Sequence, residues 1–229
     1  MRRSLVSSVL AVVVLGVAPS LPTAHAQATL TVTVDHFRTG GAIPPLYAFC
    51  VAAATGHTAA GQNVSPPISW SRGPSGTASY AIVVVDLDVP TVFTDANKEG
   101  RIVSASAKRR PWYHWLLVDV PPSITSLPEG ADSKNGTAKP AGRTPNGVRG
   151  LNDYGDGRAG YDGPCPPWND AIVHHYHFRV YALNVAHLPL PANFTPAAAL
   201  RVSRPHVLAW GEVVGLYTQN PDVAKTLPK

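Results

Sequence analysis

The chain has 229 residues, of which 45% are hydrophobic and 14% charged, with a formal net charge of +5. Arg2 and Arg3 supply two of those charges, and the +3 that remains is too mild for a nucleic-acid-binding surface. The length suits one domain with a sizeable core.

The first element is a leader. Met1-Arg2-Arg3 is a short basic stretch, Leu5–Ala18 an apolar run, and Ala24-His25-Ala26 a small-x-small cleavage pattern. This is the layout of a secretory signal peptide, too short and poorly flanked for a stable membrane span. Residues 1–26 are therefore expected to be a signal peptide and 27–229 a single domain, exported to a periplasmic or extracellular space. No later run approaches the ~18 apolar residues a membrane helix needs, so no integral membrane segment is expected after cleavage.

Beyond the leader, 23 prolines and 19 glycines divide the chain into short segments. Apolar or alternating runs at Leu30–Val34, Ser79–Val85, Tyr113–Val120 and His175–Ala182 are rich in β-branched and aromatic residues. They predict a mainly β, antiparallel protein. The stretches 91–110 and 129–152 read as long loops, a kind that compact domains more often use than merely carry. Only the tail reads as helical. Thr195-Pro196 is a capping pair leading into one helix, and a second is expected to restart at 203–205 and run through HVLAWGEVVGLYTQ.

Polar residues collect in three of these runs. In SYAIVVVDLDVP, period-2 alternation puts Asp86 and Asp88 on one face, just before Pro90. In RPWYHWLLVDVP, His114 shares a face with Leu116 and Val118, while Trp115 and Leu117 face away. In YDGPCPPWNDAIVHHYHF, a stiff Gly163–Pro167 turn precedes a strand. There His174, Tyr176 and Phe178 face one side, and His175, His177 and Arg179 the other. Two cysteines, Cys50 and Cys165, stand far apart in sequence. An exported address permits a disulfide, two free thiols are the alternative, and spacing does not decide between them.

Seven segments in order carry a family resemblance: FRTGGAIPPLYA, GQNVSPPISWS, YAIVVVDLDVP, WYHWLLVDVP, GLNDYGDGRAGYDGPCPP, HHYHFRVYAL and HVLAWGEVVGLY. Together they resemble the phosphatidylethanolamine-binding protein (PEBP) family, also called Raf kinase inhibitor-like proteins, in its bacterial branch. The resemblance implies a β-sandwich core of two antiparallel sheets with short C-terminal helices and a small anion-binding pocket at one end. By match to the DxDxP, WxHW and HxY motifs, Asp86, Asp88, His114, His174 and Tyr176 would line that pocket. Pro90, Gly163 and Pro164 would shape its rim. Leu87 stands where the family usually has proline.

These residues suggest how an anion could be held. Two carboxylates would repel it directly, so Asp86 or Asp88 is expected to favour an imidazolium, and a cationic His114 or His174 with the Tyr176 hydroxyl would then donate. The expected function is non-enzymatic binding of phosphate, a phosphorylated compound or a phosphatidylethanolamine-type headgroup, with inhibition of a protease or another protein partner as an extension. No cofactor is expected. The alternative is a metal-dependent hydrolase using Asp86, Asp88, His114 and His174, though no HExxH or CxxC spacing supports it. A serine hydrolase has no GxSxG elbow to rest on.

Overall fold

A computed structural model describes residues 28–133 and 139–228, so the expected signal peptide lies outside the described residues. In chain order the strands are β1 (Ala28–Thr29), β2 (Val32–Val34), β3 (Cys50–Ala52), β4 (Thr58–Ala60), β5 (Ile68–Trp70), β6 (Ser79–Pro90) and β7 (Arg109–Val120). There follow β8 (Ser126–Leu127), β9 (Gly142–Thr144), β10 (Gly147–Arg149) and β11 (His174–Leu183). Helix α1 (Pro196–Ser203), β12 (Val207–Tyr217) and the single-turn α2 (Pro221–Ala224) complete the chain. No described helix is long and apolar enough to cross a membrane.

The expected antiparallel, mainly β architecture is present. Seven strands form one sheet in the order β1-β12-β11-β6-β7-β10-β9, antiparallel except for the short parallel pairing of β1 with β12. A three-stranded antiparallel sheet, β2-β5-β8, packs over it, and β3-β4 forms a separate hairpin. The large sheet is covered on both faces. Ile82 and Val84 of β6 join Trp115, Phe178, Ile68 and Trp70 in the core between the sheets. Ala81 and Val83 point the other way, against Leu116, Val118, Phe194 and Ala199 of α1. That two-sided burial explains the unbroken AIVVV run, because neither face of the strand meets water.

Helix α1 forms as the sequence predicts. Thr195 caps it by accepting the Ala198 N–H at 3.3 Å, and Pro196 occupies the first turn, where no donor is missed. The second predicted helix does not form. After one 3-10 turn at Arg204–His206, the chain enters β12. Its buried positions are Ala209, Gly211, Val213, Gly215 and Tyr217, a period of two rather than 3.6. A side chain at Gly211 would overlap the Leu30 carbonyl, and one at Gly215 would crowd Ile43 and Phe37. Those glycines weaken a helix and admit crossing segments, while β11 supplies a pairing partner along the whole strand.

Two irregularities in the β6–β7 pairing set where polar side chains point. Val84 pairs with Trp115 but Val85 with Tyr113, so His114 is an extra residue in a β-bulge. The bulge reverses the phase of β7: His114 leaves the expected face with Leu116 and Val118 and joins the Trp115 side. A second shift separates Asp86, paired with Trp112, from Val89, paired with Arg110. Asp86 and Asp88 therefore part company.

Candidate functional site

Where β6, β7 and β11 end together, a cavity of about 90 Å³ opens. Asp86 comes from β6, His114 and Trp112 from β7, and Tyr176 from β11, and Tyr154 and the Cys165–Pro167 segment close it. Four edge-to-face contacts link the rings around it. Phe93 to Trp112 is 6.3 Å between centroids, Trp112 to Tyr154 5.9 Å, Tyr154 to His114 5.5 Å and His114 to Tyr176 5.1 Å. Aromatic pairs prefer this geometry, and here it fixes the wall.

His114 is held by its inner nitrogen. Nδ1 donates to the carbonyls of Asp162 at 2.8 Å and Gly163 at 3.2 Å, which places the proton on Nδ1. Nε2 then carries the lone pair on the cavity side, and it has no hydrogen-bond partner among the described residues. Burial lowers the pKa of the ring, outweighing the Asp86 charge and the two carbonyls that favour protonation. The ring is neutral near pH 7, not the cation expected from sequence. The Tyr176 hydroxyl is likewise buried with no hydrogen bond of good geometry, and burial, followed by the nearby Asp86 carboxylate, holds it protonated.

The carbonyls that receive His114 are themselves anchored. Asn63 accepts the Gly163 N–H at 2.7 Å and donates to Asp162 at 2.8 Å. Asn152 and Arg158 complete the Asp162 carboxylate, and the Tyr154 hydroxyl donates to Gly163 O at 2.8 Å. The Pro164 carbonyl takes the N–H groups of Phe49 and Cys50, and a Cys50–Cys165 disulfide ties the rim to β3. Gly163 and Pro164 thus brace the wall through their backbones, while Cys165, Pro166 and Pro167 line the space.

His174 lies behind the cavity, with its side chain fully buried. Nδ1 meets Asp86 Oδ2 at 2.6 Å and Nε2 meets Asp170 Oδ2 at 3.2 Å. Both nitrogens face carboxylates, so both carry protons and the ring is an imidazolium. Burial opposes that charge, but the hydrogen bonds and charges of Asp170 and Asp86 raise its pKa to about 9. Arg109 closes the chain with a two-pronged contact to Asp170 at 2.6 and 3.0 Å. Arg109, Asp170, His174 and Asp86 therefore alternate in sign and balance. Asp170 gains from this too: burial alone would raise its pKa, but His174 and Arg109 hold it low.

Among the residues predicted for the site, Asp86, His114 and Tyr176 converge on the cavity. His174 supports Asp86 from behind instead of lining the space. Asp88 is turned outward by the bulge, where its carboxylate accepts both the N–H and the ring of His175. Its backbone stays tied to the site through a 2.7 Å bond from Asp88 N to Asp86 Oδ1. Pro90 is buried at the end of β6, paired with Arg109. Leu87 is exposed, and Asp86 is positioned by His174 and the Asp88 N–H without help from a proline.

Several wall residues escaped the sequence reading. Trp112 and Tyr154 sit inside the motifs quoted above, but nothing local marks them as inward-facing. Phe93 and Asn97 come from the 91–110 loop, which Asn169 fastens to the rim by donating to the carbonyls of Asp95, Lys98 and Arg101. The Asn97 carboxamide oxygen accepts the Trp168 N–H at 3.0 Å, which leaves its NH₂ uncommitted at the cavity. Asp170, four residues before His174, had no signal at all.

The metal alternative finds no geometry here. Among the described residues no three His, Cys, Asp or Glu side chains are grouped to hold an ion. Both His174 nitrogens are engaged by Asp86 and Asp170, and the Asp88 carboxylate is turned outward to His175.

A mainly β domain with a small polar cavity at the strand ends, walled by Asp, His and Tyr, is the class of protein this structure defines. The family model for phosphatidylethanolamine-binding protein matches residues 33–218. YbcL, a UPF0098 protein of Escherichia coli K12, is 32% identical over 218 residues, covering 95% of this chain and 98% of its own. A UPF0098 protein of Methanothermobacter thermautotrophicus is 35% identical over 162 residues, covering 70% and 87%. The crystal structure of E. coli YbcL, described as a new member of the mammalian PEBP family, superposes with a TM-score of 0.63 at 31% identity, covering 83% and 99%. A phosphatidylethanolamine-binding protein homologue from Chlamydia trachomatis gives 0.59 at 28% identity, covering 82% and 97%. The chain belongs to the phosphatidylethanolamine-binding protein family.

Proposed function

We propose that this protein is an exported, non-catalytic receptor for a small phosphorylated ligand of the phosphoethanolamine type. One observation carries the reading: two buried polar atoms, His114 Nε2 and the Tyr176 hydroxyl, lack partners and line one small cavity beside Asp86. Buried polar atoms are nearly always satisfied, so a pair left open in one place marks a spot where a ligand completes the hydrogen bonding. The space corresponds to about three waters, well below the ~300 Å³ of a drug-sized pocket, and suits one phosphoryl-sized group. Family membership supports a headgroup ligand. The cysteine that lines the cavity, Cys165, is held in the disulfide and offers no thiolate. The disulfide also suits an oxidising compartment and so supports export.

Calorimetric titration with O-phosphoethanolamine and inorganic phosphate tests this. Saturable binding that is lost in His114→Phe is the expected result. Absence of binding to either compound across neutral and mildly acid pH would defeat the proposal.

A further inference from the structure

A second cleft, of about 320 Å³, lies at the other end of β7, on the opposite face of the sheet from the strand-end cavity. It opens where the outer core stops short. Val118, Leu188 and Phe194 are buried in that core, but Val148 and Leu190 at its margin are only half-covered. Val118, Val148 and Arg143 are successive cross-strand partners on β7, β10 and β9, so their side chains rise from one face in a row. The facing wall is the 187–194 segment, which is pinned near both ends. Asp119 accepts the Leu188 N–H at 3.0 Å, and the Phe194 carbonyl accepts the Leu151 N–H at 2.9 Å. The result is a preformed space with mainly apolar walls, in the size range of small-molecule sites.

Its charges do not balance. Asp119, the one acid lining the cleft, is already engaged by the Leu188 N–H and by the His187 ring at 3.3 Å. Arg149 follows Val148 on the strand, so its side chain leaves through the other face, where it holds Asp132. Arg143 is exposed and has no carboxylate partner among the described residues. A free guanidinium beside an apolar floor complements a molecule with one anionic end and an apolar body. Its planar fork matches a carboxylate through two parallel N–H donors. We infer that this cleft is a second ligand site, for a small amphipathic carboxylate such as a medium-chain fatty acid. Arg143 holds the carboxylate, and Val118, Val148, Leu190 and Phe194 receive the apolar body. The cleft shares no lining residue with the strand-end cavity and stands whether or not that cavity binds phosphate.

The test titrates the intact mature chain with octanoate, hexanoate and 1-octanol, following backbone amide signals by NMR. Octanoate should shift the amides of Val148 and Leu190 saturably and leave those of Trp112 and Tyr154 in place. It should bind about 3- to 10-fold more tightly than 1-octanol, which has the same tail and no charge. It should also bind about tenfold more tightly than hexanoate, which has two fewer methylenes to bury. Arg143→Gln should bring octanoate down to the level of octanol and leave octanol unchanged. That side chain is exposed, so the variant should melt with the wild type. Octanol binding as well as octanoate, or octanoate indifferent to Arg143→Gln, would overturn the assignment of an anionic ligand. No saturable shift, or displacement of octanoate by O-phosphoethanolamine, would overturn the separate site itself.

Discussion

His174 donates through Nδ1 to Asp86 across 2.6 Å, and its other nitrogen meets Asp170 at 3.2 Å, so a buried ring carries a positive charge between two carboxylates. Its charge is spent on structure. The cavity presents Asp86, which that charge holds in place, and not the imidazolium itself.

Replacing His174 with alanine would strand Asp86 and Asp170 without their shared partner, at a cost of about 3–5 kcal/mol in a denaturant titration. The pH dependence follows from the direction of the shift. The folded pKa, about 9, lies above the ordinary 6.5, so the stabilisation is complete below 6.5 and disappears as pH rises through about 9. The wild-type unfolding midpoint should therefore fall between pH 6 and pH 10. An unchanged midpoint would argue against a charged ring.

Tyr176→Phe separates stability from binding. The hydroxyl is buried without a partner, so removing it should leave the empty protein as stable as before or up to about 1 kcal/mol more so. Phosphoethanolamine affinity should drop about tenfold. A variant that loses stability and keeps affinity would show that the hydroxyl serves the fold.

The disulfide spans 115 residues of sequence, a separation for which chain entropy suggests about 4–5 kcal/mol of stabilisation. Reductant should lower the denaturation midpoint of the wild type and leave a Cys50→Ala/Cys165→Ala variant unaffected. Pro164 O still receives the Phe49 and Cys50 N–H groups after reduction, so the rim should loosen without detaching. Binding that survives reduction in weakened form would agree with that.

Gly163 has no room for a side chain, because a Cβ would overlap the Tyr47 carbonyl. Gly163→Ala must shift a backbone whose carbonyl holds His114, so it should cost about 1–3 kcal/mol and weaken binding as well. Gly155→Ala is the control. It meets nothing within 4 Å and carries only the strain of its +81° φ, worth about 1 kcal/mol with binding unchanged.

Much of this protein was legible along the chain. Alternation located the long strands β6, β7 and β11, a Thr-Pro pair announced α1, and the ordered motifs identified the family. Asp86, His114 and Tyr176 were drawn together by the match to the family's motifs, and the structure brings all three to one cavity. Such signals act between neighbours a few residues apart, and one chain displays them in full.

What escaped depends on partners distant in sequence. Residues 207–217 read as a helix along the chain, but β11 offers backbone bonds and Leu30 and Ile43 press against Gly211 and Gly215, so they form a strand. One bulge turns His114 into the cavity and another sends Asp88 outward, and each is a mismatch between two strands that neither strand shows alone. The histidine charges come from the same source. His114 is neutral because packing strips it of water, and His174 is charged because Asp86 and Asp170, 88 and 4 residues away, close on both its nitrogens. Residue order chose the strands and the family, whereas burial and long-range pairing chose which side chains face the cavity and with what protons.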